Sequence, residues 1–280
     1  MPKISLVVCV YGDRGPLARL LERSRTCYDE LLVIHDGPDF EDVRSLVNQY
    51  RGRFFERPRA FSQEPHIPFA IGEATCDWIL RFDSDEFPSS ELREWLNKFR
   101  KEPKSVTNIS GYYCVWPAWN GRKEITQHWP NKRLFLFHRQ RVRLIGLCEN
   151  GPEPDFAVTK LKLTLCHQPN RPTHGLRNIF GKDRTAQARM NLVRALLGSP
   201  RDHPRWRYKS EQWPWSWQQV KAHPILTGLR RLFIWPPRQA LAMFLAGDLP
   251  RPSVFAHAGI FHATLCFQFW RERSKQRTNG

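Results

Sequence analysis

No Cys-x-x-Cys pair occurs in this 280-residue chain, and its 7 cysteines are an odd number. A disulfide framework and a zinc ribbon are therefore both excluded. Most of the cysteines, at 9, 27, 76, 114, 148, 166 and 266, lie inside apolar runs. There a free thiol acts as a small buried hydrophobe, which suits a reducing compartment. Long apolar runs are missing too. The nearest, "SVFAHAGIFHATLCFQFW" at 253–270, carries two His and a Gln, so no membrane span is expected. The opening "MPKISLVVCVYG" is too short and too soon broken for a signal peptide. No internal repeat or low-complexity linker is found. Acid is scarce as well: 27 Asp and Glu face 44 Lys and Arg, a formal net charge of +17. That balance biases partners toward polyanions (nucleic acid, an anionic membrane face, phosphorylated substrates) without setting a fold.

What is present is a substantial core. A hydrophobic fraction of 41% with 11 Trp argues against disorder. The first hundred residues alternate. "ISLVVCVYG", "ELLVIHDG", "RFFERP" and "DWILRF" are β-branched or aromatic runs that read as strands. Between and after them, "GPLARLLERSR", "FEDVRSLVNQY", "PFAIGEATC" and "SSELREWLNKF" carry apolar residues at helical spacing, the last with a Ser N-cap. This β-α order predicts a Rossmann-type, mainly parallel sheet with helices on both faces. On such a sheet ligands bind beyond the carboxyl ends of the strands. Those ends carry Tyr11-Gly12-Asp13, His35-Asp36-Gly37 and Asp83-Ser84-Asp85.

From about 110 the runs "GYYCVWPAW", "KRLFLFH", "VRLIG" and "KLKLTLCH" predict antiparallel or edge strands, and a helix is expected over roughly 174–198. Residues after 200 are rich in Pro, Trp and Arg. The expected partition is an α/β domain over 1–200 and a helical, aromatic-rich, basic extension over 201–280.

The stretch "DWILRFDSDEFPSS", 77–90, gathers Asp83, Asp85 and Glu86 in a basic protein. A turn or helix cap would explain a lone Asp-x-Asp. Two carboxylates just past a buried strand repel each other, however, and keep their charge only beside something positive. Mg²⁺ or Mn²⁺ would serve, sharing its shell with substrate phosphates and stabilising a nucleoside diphosphate leaving group.

Four segments together resemble glycosyltransferase family 2 of the GT-A fold: "VVCVYGD", "LLVIHDGPD", "AIGEATCDWILRFDSDE" and "KRLFLFHRQRVRLIGLCE". The likeness covers residues 4 to about 150, and among subgroups it is closest to lipopolysaccharide-core-type glycosyltransferases. It implies inverting transfer of a sugar, hexosyl or heptosyl, from a nucleotide-sugar donor to an acceptor hydroxyl. Residue by residue, it implies Asp36 as the base-recognising acid, with Tyr11 and Asp13 lining the nucleotide pocket. Asp83 and Asp85 match the metal and nucleotide-sugar motif, with Glu86 in the ligand shell or acceptor site. Arg133, Lys132, Lys182 and Arg184 are candidates by charge for gripping a diphosphate, and Arg133 is singled out because the family's Arg-Leu-Phe stretch includes it. Glu149 matches the base that takes the acceptor's proton. Several positions depart from the pattern: Cys9 replaces Pro, His35 the first Asp of Asp-Asp-Gly, Pro68 an Asn, Cys76 a Gly, and Cys148 the His before Glu149. His167 and His174 are further imidazoles that could complete a metal shell, but His more often has a structural or surface role, and neither is placed in the site.

The tail run 253–270, read as a helix, is apolar with a narrow polar stripe and is followed at once by "RERSKQR". It suits either a membrane interface or the protein's own core. The resulting expectations are a glycolipid or polysaccharide acceptor, contact with an anionic membrane surface, a place on the inner face of the cytoplasmic membrane, and no nucleic-acid partner. Two alternatives remain. A basic nucleic-acid binder would leave Asp83 and Asp85 without use, and an inactive membrane scaffold would bind neither nucleotide nor metal.

Overall fold

The computed structural model describes residues 1–101, 109–119, 122, 124–125, 132–146, 151–169, 184–197, 213–245 and 252–278. It divides into two compact units, Met1–Asn170 and Arg171–Gly280. The boundary expected at 200/201 lies outside the described residues.

The first unit opens as the sequence predicts, with β1 (Ile4–Val10), α1 (Arg14–Ser24), β2 (Glu30–Asp36), α2 (Val43–Gln49), β3 (Arg53–Arg57), α3 (Ile67–Glu73), β4 (Trp78–Asp83) and α4 (Ser90–Lys101), and it adds an unpredicted short strand, β5 (Glu86–Pro88), before α4. Next come β6 (Ile109–Val115), β7 (Ala118–Trp119), β8 (Glu124–Ile125), β9 (Lys132–His138), β10 (Val142–Arg143), β11 (Glu153–Pro154) and β12 (Ala157–His167). The main sheet has eight strands in the order β3-β2-β1-β4-β9-β6-β12-β5. Strands β3, β2, β1 and β4 run parallel, as do β6 and β12, while β9 lies antiparallel between β4 and β6. Strands β6, β9 and β12 thus extend the same sheet, with β9 antiparallel as expected, while β7–β8 and β10–β11 form two separate two-stranded antiparallel ribbons.

Alternation along each strand explains the layers. Leu6, Val8, Val33, Leu80 and Phe82 face a core shared with Leu17 and Leu20 of α1, Val47 of α2 and Leu96 of α4. Val7, Leu32, Ile34 and Ile79 face the other way, onto Ile67, Ala70 and Ile71 of α3. A sheet sandwiched in this way needs strands that are apolar on both sides, which is why β1, β2 and β4 read as unbroken runs.

Two local signals set the loops at the carboxyl edge. After β1 the chain turns through consecutive left-handed residues, Gly12 (φ +65°) and Asp13 (φ 59°). Glycine meets this at no steric cost, and Asp tolerates it better than most residues. Ser89 Oγ accepts from Leu92 N at 3.2 Å, capping α4 as its sequence predicts.

The second unit holds α5 (Arg184–Leu197), α6 (Trp215–Ala222), α7 (Pro224–Phe233), α8 (Trp235–Leu245) and α9 (Pro252–Thr278), in keeping with a helical extension. Helix α9 contains the 253–270 run and packs on α5, α7 and α8, burying Phe261, Leu265, Cys266 and Phe269. Among the described residues, no helix is long and apolar enough to cross a membrane.

Candidate active site at the carboxyl edge of the sheet

The ends of β1, β2 and β4 bring Tyr11, Asp13, Asp36 and Asp83 to one edge, because β1 pairs in parallel with both neighbours. Cys9 stands opposite both Ile34 and Asp83. Desolvation there pushes its thiol up to about 12, which disfavours the thiolate.

On the β2 side, His35 is fully buried. Its Nδ1 lies 2.7 Å from Gly37 O, and its Nε2 lies 3.0 Å from the Gly12 amide. Only the Nδ1–H tautomer satisfies both: Nδ1 donates to the carbonyl and Nε2 accepts from the amide. His35 therefore braces the turns after β1 and β2 against each other. Asp36 accepts from Arg59 Nη1 at 2.8 Å, His66 Nε2 at 2.9 Å and the Ala60 amide at 2.5 Å. These contacts fill three of the roughly four acceptor positions of its carboxylate. Burial opposes its charge, but the His66 and Ala60 hydrogen bonds and the Arg59 cation hold its pKa below the ordinary value. The Arg59 guanidinium lies 3.1 Å from the centroid of the Tyr11 ring, which meets Phe40 edge-on at 4.9 Å. Tyr11, Phe40 and Arg59 thus make an aromatic and cationic surface beside Asp36.

The β4 side is an ion network. Arg133, on β9, forks onto Asp83, with Nη1 at 2.9 Å from Oδ2 and Nη2 at 2.6 Å from Oδ1. Its Nη1 also donates to Glu86 Oε1 at 2.6 Å. Glu86 is 0% exposed. It accepts as well from Trp116 Nε1 at 2.6 Å and from the Asp83 amide at 2.7 Å. Its place on β5, paired antiparallel with β12, turns the side chain inward. Glu86 therefore braces Arg133 from the inner side of the site. One guanidinium serves two acids. Burial opposes the charge on Asp83, yet the bidentate Arg133 holds its carboxyl well below the usual range. Burial pushes Glu86 upward, because Arg133 is shared and Asp83 lies close by.

Among the described residues Asp85 makes no ion pair with an Arg or Lys, although the charge of Arg133 still draws its pKa down. Burial, with the Asp83 charge behind it, pushes Asp85 up to about 7. Its Oδ2 lies 3.8 Å from His167 Nε2, at the end of β12. His167 Nδ1 sits 3.2 Å from Pro117 O and donates to it, and the ring stacks on Trp116 at 4.5 Å. Burial holds His167 down at about 4, so it is neutral near pH 7. With Nδ1 carrying the proton, the Nε2 lone pair is free to face Asp85. Asp13 accepts from Ser84 Oγ at 3.2 Å, tying the β1 turn to the acidic loop.

Asp13, Asp36, Asp83, Asp85 and Arg133 thus share the carboxyl-edge region, with Tyr11 on its β2 side. Arg133 is engaged by the two acids. Lys132 is exposed. Glu149, Cys148, His174 and Lys182 lie outside the described residues, and for Arg184 only its backbone, at the start of α5, is described. Among the described residues, no group of three or more His, Cys, Asp or Glu is gathered to hold a metal. An ion here would draw further ligands from substrate phosphates, as Mg²⁺ and Mn²⁺ commonly do. Sequence reasoning missed Arg59, His66 and Trp116, and it undervalued His35 and His167. The available signal for His167 was its place at the end of the strand-like run "KLKLTLCH".

The family described as glycosyl transferase family 2 matches residues 5–153. No curated protein matches the chain. Among solved structures, the mannosyltransferase PcManGT from Pyrobaculum calidifontis, in complex with GDP-Man and Mn²⁺, is 12% identical with a TM-score of 0.46. That match covers 97% of this chain and 86% of that one. TarS 1–349 of S. aureus, in complex with UDP-GlcNAc, is 14% identical with a TM-score of 0.44, covering 96% and 92%. A mycobacterial protein is 13% identical with a TM-score of 0.42, covering 70% and 74%. At these TM-scores the three likenesses carry no argument about donor, ion or acceptor.

Proposed function

The chain belongs to glycosyl transferase family 2, and from that premise we propose that it moves a sugar from a nucleotide-sugar donor to an acceptor hydroxyl with inversion, using one divalent cation. The observation that carries this reading is the unequal pairing of the two acids. Arg133 compensates Asp83, whereas Asp85 keeps a raised pKa of about 7 beside the Nε2 lone pair of His167.

Tyr11, with Phe40 and Arg59 beside it, offers the nucleobase a stacking surface. Asp36 retains about one acceptor position for a base N–H. Asp83, fixed by Arg133 and Glu86, presents a rigid anionic edge toward the ribose. Asp13 and Ser84 keep the two loops in register. A carboxylate suits either Mg²⁺ or Mn²⁺, and a neighbouring imidazole favours Mn²⁺ of the two, so Asp85, with His167 beside it, is where the ion would be held. When bound, that ion supplies charge neutralisation for the departing diphosphate. Glu149 is proposed as the group that holds the acceptor hydroxyl and takes its proton. The acceptor class proposed is a glycolipid or polysaccharide of the cell envelope, as in lipopolysaccharide core synthesis. The hexosyl or heptosyl class of donor and a peripheral place on the cytoplasmic membrane belong to the same proposal.

Calorimetric titration with UDP, GDP and ADP, and with their sugars, tests the reading. Nucleotide binding that requires Mn²⁺ or Mg²⁺ and is lost in Asp85→Ala supports it. Absence of binding by every nucleotide, with or without metal, would overturn it.

A further inference from the structure

Helix α7 is built inside out. Its inward face is small: Thr227 and Gly228 are buried, and a side chain at Gly228 would meet Cys266 Cβ of α9 at 3.2 Å. Its bulky apolar residues lie on the opposite side. Ile225, Leu226 and Leu229 are exposed, and Phe233 is 66% exposed. On an ideal helix these four fall within an arc of roughly 100°. Exposure continues along α8, where Leu241 and Phe244 also face water, the latter 66% exposed. A monomeric protein seldom leaves so many large apolar side chains together in water.

The formal charge carried by α6, α7 and α8 has one sign. Residues 213–245 contain four basic residues, Lys221, Arg230, Arg231 and Arg238, and no Asp or Glu. Arg230 and Arg238 are exposed. Two copies meeting through this face would bring like charges together, which disfavours self-association. An anionic bilayer offers both an apolar layer for Leu229 and Phe233 and a negative surface for the arginines. No described helix can span that bilayer, so the contact would be interfacial.

We propose that the exposed face of α7, extended by α8, docks the protein on an anionic lipid surface. This deepens the membrane part of the proposed function and does not depend on sugar transfer. It also places the docking element on α7 and α8 and not on the 253–270 run, where Phe261, Leu265, Cys266 and Phe269 are buried and Phe267 and Trp270 are the exposed large apolar side chains among the described residues.

The test is flotation of the full chain with vesicles of phosphatidylcholine alone or mixed with phosphatidylglycerol. Binding is expected to rise with the anionic fraction and to fall with salt. The double variant Leu229→Glu/Phe233→Glu should weaken partitioning by about tenfold or more. Its far-UV circular dichroism should be unchanged, because both side chains already lie in water. Arg230→Glu/Arg238→Glu should lose the dependence on anionic lipid while keeping residual apolar binding. Asp85→Asn, which addresses sugar transfer, should bind vesicles like the parent. Failure to bind anionic vesicles would overturn the proposal, as would binding that the Leu229/Phe233 variant leaves unchanged. A dimer seen by sedimentation and broken by that same variant would reassign the face to a second copy. Binding to DNA or heparin that the apolar variant does not alter would reassign it to soluble polyanions.

Discussion

Arg133 has more to hold than any other side chain at the site, since Asp83 and Glu86 both depend on it. Arg133→Leu leaves two buried acids without their cation and should cost about 3–5 kcal/mol, read as a lower midpoint in chemical denaturation. Asp85 presents the opposite case. Its folded pKa of about 7 lies above its ordinary value of 3.8. A raised acid contributes stability that is fully present below about pH 4 and is lost as pH rises through about 7. Asp85→Asn should therefore stabilise the metal-free protein at pH 8 by about 1–2 kcal/mol, or roughly 2–4 °C for each kcal/mol. That gain should vanish near pH 4, and thermal melts across this range would check it. The same substitution should abolish metal-dependent nucleotide binding, so stability and function move in opposite directions. Glu149→Gln should keep donor affinity and lower transfer by at least about a hundredfold. Unchanged turnover would remove Glu149 as the base.

At the scale of elements, the strands that build the site were the most legible part of the sequence. Runs such as "ISLVVCV" and "ELLVIHD" are apolar on both faces because helices cover both sides. The short strand β5 was not legible. Three residues give no period, and Glu86 looks like a surface acid until β12 pairs beside it. The Arg133–Asp83 fork was also hidden, because it joins residues 50 positions apart through the insertion of β9 beside β4. In the second unit, the helical character of 253–270 was readable but its partner was not. Its partners are the small face of α7, α5 and the start of α8. A Cβ at Gly259 of α9 would stand 2.8 Å from Pro236 Cγ and 3.2 Å from Arg231 O. Gly259→Ala would gain about 0.5–1 kcal/mol in helix propensity. Overpacking against backbone costs about 1–3 kcal/mol, so a net loss of thermal stability is expected.

For the whole molecule, the net charge of +17 and the acidic edge of the sheet are compatible. The edge would receive a metal and a diphosphate, while the basic surplus, part of it on α7 and α8, would face anions elsewhere. The charge total indicated polyanionic partners but could not say where they bind, because composition carries no position. The central claim is that Asp85, raised by burial and by the Asp83 charge and facing His167, is the hinge of donor binding. The most direct measurement is calorimetry of nucleotide and nucleotide-sugar binding to the parent and to Asp85→Asn, with and without Mn²⁺, at pH 8. The account predicts Mn²⁺-dependent binding in the parent and none in the variant. Equal binding in both proteins, or binding indifferent to Mn²⁺, would contradict it.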